Sequence, residues 1–312
     1  MVFTPGKTYV IDRQLVPLAG QTWIGYGATL KRADRVATLL TGGFTGSTLP
    51  VTPGEGTNFR VGSFVVLWDT PDETDHSSNT RSVVSTTADS VTLSGTFTGI
   101  TAASGDQLET GTTMIFNDVA DWKILGLTLD GNGTSYSSGV HIWEIHKDIF
   151  ISGDRTTVRD CVFDDSQLEG MIVGGDGTVV DSNRFLSCGG NPMHLSGSNG
   201  LTISNNYIFD SQVYNADRNN HQDGAISIST AVVDTTVSNN YYDGNSNGLT
   251  FLGGISQDTV NMVITGNHAK DTTVAAVEAE SNFGTVTSGH VVTGNTFENC
   301  VSFIFNDTGG NK

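Results

Sequence analysis

From residue 123 onward the chain repeats one short phrase at similar intervals. In register the segments read ILGLTLD (124–130), VRDCVFD (158–164), VDSNRFL (180–186), ISNNYIF (203–209), VSNNYYD (237–243), ITGNHAK (264–270) and VTGNTFE (292–298). Each opens with a β-branched residue, and three places on stands Leu127, Cys161, Asn183, Asn206, Asn240, Asn267 or Asn295. Successive steps between these positions are 34, 22, 23, 34, 27 and 28 residues. A strand–turn unit of this length cannot bury its apolar side alone. Stacked copies share one core and pair each strand with those above and below. Five asparagines at one register position fit such a stack, because each amide can bond the next. Left without partners, a buried amide costs about 1–3 kcal/mol.

A second strand is expected in each unit: GVHIW (139–143), GMIVG (170–174), PMHLS (192–196), AISIS (225–229), GLTFL (248–252) and AAVEA (275–279). Alternation along a strand turns Val140/Ile142, Met171/Val173, Met193/Leu195, Ile226/Ile228, Leu249/Phe251 and Ala275/Val277 inward. Outward then point His141/Trp143, Ile172/Gly174, His194/Ser196, Ser227/Ser229, Thr250/Leu252 and Ala276/Glu278, the expected working face. The expected fold is all-β: a right-handed parallel β-helix with a small antiparallel β insertion near the N-terminus. Residues 1–45 read as the N-terminal cap and first coils, 46–116 as the β-rich insertion, and 117–312 as the main helix. In the insertion, FRVGSFVVLWDT and SVVSTTADSVTLSG alternate like hairpin strands.

Composition narrows the partners. The 38 glycines punctuate short strands, and no apolar run is long enough to span a membrane. A net charge of −18, with only 15 scattered Lys and Arg, argues against nucleic acid. The three cysteines, without metal-ligand spacing, read as free thiols. The opening MVFTPGKTYVIDRQ lacks a basic segment followed by an apolar run. The expected location is extracellular, by a leader absent from this sequence or on a phage particle.

The stacked (V/I)-x-x-N phrases, with GLTLDGN, SGDRTTVRDCVF and GGNPMHLSGS, resemble the pectin-lyase-like superfamily of right-handed β-helices. The resemblance covers about 117–312 and, loosely, 1–45. It implies extracellular carbohydrate chemistry of the kind found in pectate lyases, polygalacturonases, alginate lyases and epimerases, and phage tailspike depolymerases. The Asp164-Asp165 pair is similar to the paired aspartates of polygalacturonases but lacks their Gly-His-Gly partner. GLTLDGN is similar to mannuronan epimerases, without their Asp-Pro-His-Glu signature.

Loop lengths point to a site. SQVYNADRNNHQDG (211–224) and the excursion from Trp143 to about Arg155 flank the outward strands, over a floor made open by Gly174, Gly175 and Ser196. The catalytic candidates are His194, Asp223, His221, Arg218, Glu169 and Asp165. Hydrolysis needs two carboxyl groups, which Asp165, Glu169 and Asp223 can supply. Elimination needs a base and an electrophilic partner, such as His194 or His221 with Arg218 and Tyr214. Trp143, Glu144, His146, Asn191, Ser196 and Tyr214 are the substrate-binding candidates, the aromatic faces suiting sugars. The expected function is polysaccharide degradation, hydrolysis ahead of β-elimination. The alternatives are a non-catalytic glycan-binding, tailspike- or adhesin-like β-helix, and a polysaccharide lyase or uronate epimerase. No cofactor is expected to be required, although Ca²⁺ can suit the acidic turns. The partner expected is a polysaccharide, with neither nucleic acid nor membrane, and the chain a monomer or, if tailspike-like, a homotrimer.

Overall fold

The structure is a computed structural model that describes residues 1–68, 80–98, 101–111, 113–136, 147–209, 224–228, 231–244, 250–253, 259–272, 275–280, 289–300 and 304–307. Short strands stack into three parallel sheets that wrap one core, so the chain is a parallel β-helix. In each regular coil the path runs through the same three sheets. In the coil from Thr157, for example, Thr157–Arg159 belongs to the first sheet, Val162–Asp164 to the second and Glu169–Val173 to the third.

Inward residues repeat in register. Val158, Val180, Ile203 and Val237 line up on the first sheet, and Phe163, Phe185, Ile208 and Tyr242 on the second, all buried. The Phe163 and Phe185 rings stack with centroids 4.6 Å apart, which is about the coil spacing itself. Among the described residues most bends place one residue in the left-handed region, which suits Gly, Asn and Asp. Between the first and second sheets these are Gly126, Asp160, Ser182, Asn205, Asn239, Gly266 and Gly294, each immediately before the repeat position.

The asparagines form the expected ladder. Asn183 Nδ2 donates to Val158 O in the coil before (3.0 Å) and to Asn206 Oδ1 in the coil after (3.0 Å), and Asn183 N also donates to Asn206 Oδ1. The same three bonds recur at Asn206, Asn240 and Asn267, and the ladder ends at Asn295. At the other end Cys161 N donates to Asn183 Oδ1, while the Cys161 thiol faces Arg159 O.

The third sheet corrects two details of the sequence reading. The strand in register with Glu169–Val173 is Lys147–Ile151, placing Ile149 beside Met171 and Phe150 beside Ile172. GVHIW (139–143) lies outside the described residues apart from its place in sequence. Further along, Ile226 is in register with Leu252 and Ser227 with Gly253, so the pairing slips by one residue from the expected alignment of Phe251 with the inward set. Nothing in GLTFL marks which apolar residue takes that register position.

The antiparallel strands of the insertion run from Ala37 to Thr110. Its six strands run in the order Ala37–Leu39, Gln107–Thr110, Phe64–Trp68, Arg81–Thr86, Ser90–Leu93, Thr48–Pro50. An antiparallel bridge between Leu40 and Val51 joins the last strand back to the first, closing a small barrel around Leu49, Val65, Leu67, Val91 and Leu108. Closure removes exposed strand edges from the insertion.

The ladder predicts a graded response to substitution. Asn240→Ala should destabilise the chain by about 3 kcal/mol or more, because it orphans Ile203 O together with the Asn206 backbone and side-chain donors. Asn295→Ala, at the half-buried end, should cost less. Urea unfolding of both variants checks this order.

Candidate functional site

The outer face of the third sheet carries one row set by strand register: Phe116, Phe150, Ile172, His194, Ser227 and Gly253. His194 sits at the middle of the strand Met193–Leu195, whose neighbours Met193 and Leu195 are fully buried in the core. Alternation leaves the imidazole no place but the outer face.

There it meets Glu169, which opens the strand of the coil before. His194 Nδ1 lies 2.8 Å from Glu169 Oε1. The carboxylate is 1 % exposed and the imidazole 20 %, so the ring is the part of the pair a ligand reaches. With Nδ1–H donating to the carboxylate, the lone pair of the neutral ring sits on Nε2. Glu169 Oε2 is buried without a hydrogen-bond partner, as are both polar atoms of the Gln167 side chain two residues earlier. A carboxylate in this setting holds the imidazole in one tautomer and stabilises it when it takes up a proton.

Lys147 is the register neighbour of Glu169 in the preceding coil and is 6 % exposed. Its Nζ stands 5.2 Å from the centroid of the Phe150 ring, in cation–π range. Phe150 in turn stacks on Phe116, centroids 5.2 Å apart and planes 2° from parallel. Sequence reasoning missed Lys147 and Phe150 by choosing GVHIW as the strand, and Phe116 by assigning it to the insertion. The alternation of Ile149 and Ile151 in KDIFI was the available signal.

Among the other candidates, Asn191 is buried and its carbonyl accepts from Gly170 N (3.3 Å). Ser196 is half-buried at the far end of the His194 strand, its N donating to Val173 O. Asp165 stands apart from the pair, in the bend between the second and third sheets with φ 47°. Its Oδ2 accepts from Thr134 N (3.1 Å) and Thr134 Oγ1 (3.0 Å), which ties down the start of the long excursion after Asp130. Trp143, Glu144, His146, Tyr214, Arg218, His221 and Asp223 lie outside the described residues. The glycines of the expected floor have a packing role. A Cβ on Gly175 would stand 2.2 Å from Gly153 O, and one on Gly174 3.1 Å from Ser196 O, so coils rather than ligand approach these backbones. Among the described residues no three His, Cys, Asp or Glu side chains gather as a metal site.

The strand carrying Lys147 and Phe150 is anchored from within. Buried Arg32 donates from Nε to Gly131 O (3.0 Å) and from Nη2 to Lys147 O (2.8 Å), gripping both sides of the 131–147 excursion. Its Nη2 also lies 3.3 Å from Asp148 Oδ1, while the hydroxyl of Ser166 donates to the other carboxylate oxygen. Burial pushes the Asp148 carboxyl up to about 7; Arg32 and Ser166 offset only part of that, and the charge on Asp130 adds to it.

These features define a class: a parallel β-helix with a histidine–carboxylate pair on the outside of its third sheet. Residues 147–312, just over half of the chain, match the family described as the right handed beta helix region, and the chain belongs to that family. Similar solved structures include an alginate lyase from Paenibacillus sp. str. FPU-7, 15 % identical with a TM-score of 0.40, covering 61 % of this chain and 68 % of that one. XylC, solved with xylose, is 10 % identical with a TM-score of 0.45, covering 94 % of this chain; this chain spans 62 % of XylC, less than two thirds. The tailspike of Pseudomonas phage phi297 is 12 % identical with a TM-score of 0.33, covering 91 % of this chain and 70 % of that one. No curated protein sequence matches the chain.

The Asp148 environment predicts a pH-dependent stability. In the unfolded chain this carboxyl titrates near 3.8, in the fold near 7. Between the two, the folded state holds a proton that the unfolded state has lost. This contribution is therefore complete below about pH 4 and is lost as pH rises through 7. Thermal melts across that window should show a declining Tm that flattens in Asp148→Asn, which keeps an acceptor for Arg32.

Proposed function

We propose that this chain processes a polysaccharide laid along the outer row of the third sheet, with His194 as the group that moves a proton and Glu169 as its orienting partner. The observation that carries the reading is the 2.8 Å contact between a buried carboxylate and a partly exposed imidazole on that row. A carboxylate at Nδ1 favours the tautomer whose Nε2 carries the lone pair, the form that general base catalysis uses. The resemblance to pectin-lyase-like β-helices supports a glycan as the ligand. It also supports an extracellular or particle-borne location.

Of the two routes, β-elimination fits better than hydrolysis. Hydrolysis uses two carboxyl groups flanking the bond, about 5–9.5 Å apart. Among the described candidates, Glu169 is buried against His194, and Asp165 is engaged by Thr134 at a different bend. Elimination asks for one base and a local positive charge to steady the developing enolate. His194 provides the first, and Lys147, one coil from Glu169, the second.

A panel of neutral and uronate-containing glycans, assayed both for new reducing ends and for the ultraviolet absorbance of unsaturated products, tests the proposal. Both signals together are expected on a uronate glycan. His194→Ala and Glu169→Gln should each lower kcat by about 10²–10⁴-fold with little change in melting temperature. Reducing ends without absorbance would replace elimination by hydrolysis. Retained glycan binding with no product from any glycan would replace the enzyme by a binding module.

A further inference from the structure

The barrel joins the helix along a cleft of about 130 Å³, separate from the third sheet. The chain leaves the helix at Arg32 and returns at Met114, so the first coil forms one wall and the barrel the other. On the helix side stand Asp12 and Asp34; on the barrel side stand Val36, Asn58, Arg60 and Phe64. Arg60 Nη1 lies 2.6 Å from Asp12 Oδ2 across the cleft. The approach is not along a hydrogen-bond direction, and that buried oxygen has no hydrogen-bond partner. Asp34 is steadied by Asn132, whose Nδ2 donates to Oδ1 (3.0 Å). Val36 and half-buried Phe64 supply an apolar wall.

This lining has a chemical preference. Two carboxylates accept, a guanidinium donates, and a carboxamide does both, all around an apolar surface. A compact ring with hydroxyls on its rim and an apolar face matches that pattern. The cleft is smaller than the ~300–1,000 Å³ of sites for drug-sized molecules, so it has room for one ring rather than a chain. Joints between structural units are favoured places for such sites. We propose that the barrel–helix joint binds a single pyranose, free or at the end of a glycan, independently of the His194 row.

The test uses the full chain and saturation-transfer NMR with glucose, galactose, mannose and N-acetylglucosamine, and with glycerol and sorbitol as acyclic probes. At least one pyranose should receive saturation, and the acyclic probes should not. Arg60 has a 74 % exposed side chain and Asn58 is exposed, so Arg60→Ala and Asn58→Ala should keep the fold, as melting curves verify. Each should weaken binding about tenfold or more, while His194→Ala leaves it unchanged. The proposal is overturned if no pyranose receives saturation, if glycerol or sorbitol does equally well, or if the substitutions at Arg60 and Asn58 have no effect. A signal lost in His194→Ala but kept in Arg60→Ala would place the sugar on the third sheet. That result removes the joint site and leaves the reading of the His194 row standing.

Discussion

Each coil of this molecule depends on hydrogen bonds to the coils on either side. A three-residue strand such as Val179–Asp181 has no partner within its own coil, so its backbone groups are paired only through Thr157–Arg159 and Thr202–Ser204. The bends between sheets are where such pairing is hardest to maintain, because the chain turns and its amides point away from the strand direction. The asparagine ladder meets that need by threading side-chain amides through successive bends, each Oδ1 after that of Asn183 receiving two donors from the coil before. Its length over Asn183 to Asn295 makes the bend between the first and second sheets the most regular part of the solenoid.

Regularity on that side permits irregularity elsewhere. The bends from the third sheet to the first use Asp121, Arg155, Gly177, Gly200, Asp234, Asn261 and Gly289 in left-handed backbone, again one residue per coil. Length variation is concentrated between the second and third sheets, where the steps of 34 residues arise. The third sheet is therefore a rigid floor bordered by the variable part of the chain, which is where function accumulates in solenoids. The His194–Glu169 pair lies on that floor, and Arg32 fixes the strand beside it through Gly131 O and Lys147 O.

Stacking also limits how outward aromatic residues can act. Phe116 and Phe150 on the third sheet, and Tyr207 and Tyr241 on the second, lie nearly parallel at 5.2 and 5.3 Å. Rings held face to face at the coil spacing cover each other and offer mainly their edges to a ligand. They stabilise adjacent coils, as cross-strand aromatic pairs do in any sheet. In the same row His194 keeps a polar side chain that is partly exposed.

The sequence by itself determined the stacking. The β-branched residue and the asparagine three places on are local and recur, so their shared register and the ladder could be read from spacing. His194 was legible for the same reason, since alternation around Met193 and Leu195 leaves it outside. Its pairing with Glu169 was decided by tertiary structure, because it depends on how many residues the intervening coil spends in its bends. That number also chose Lys147–Ile151 over GVHIW as the third-sheet strand and Leu252 over Phe251 as the partner of Ile226. The barrel is a further case: its closure joins Leu40 to Val51 and Ala37–Leu39 to Gln107–Thr110, contacts across the chain that no local pattern encodes. Periodic contacts write themselves into the sequence, whereas contacts set by loop length exist only once the chain has folded.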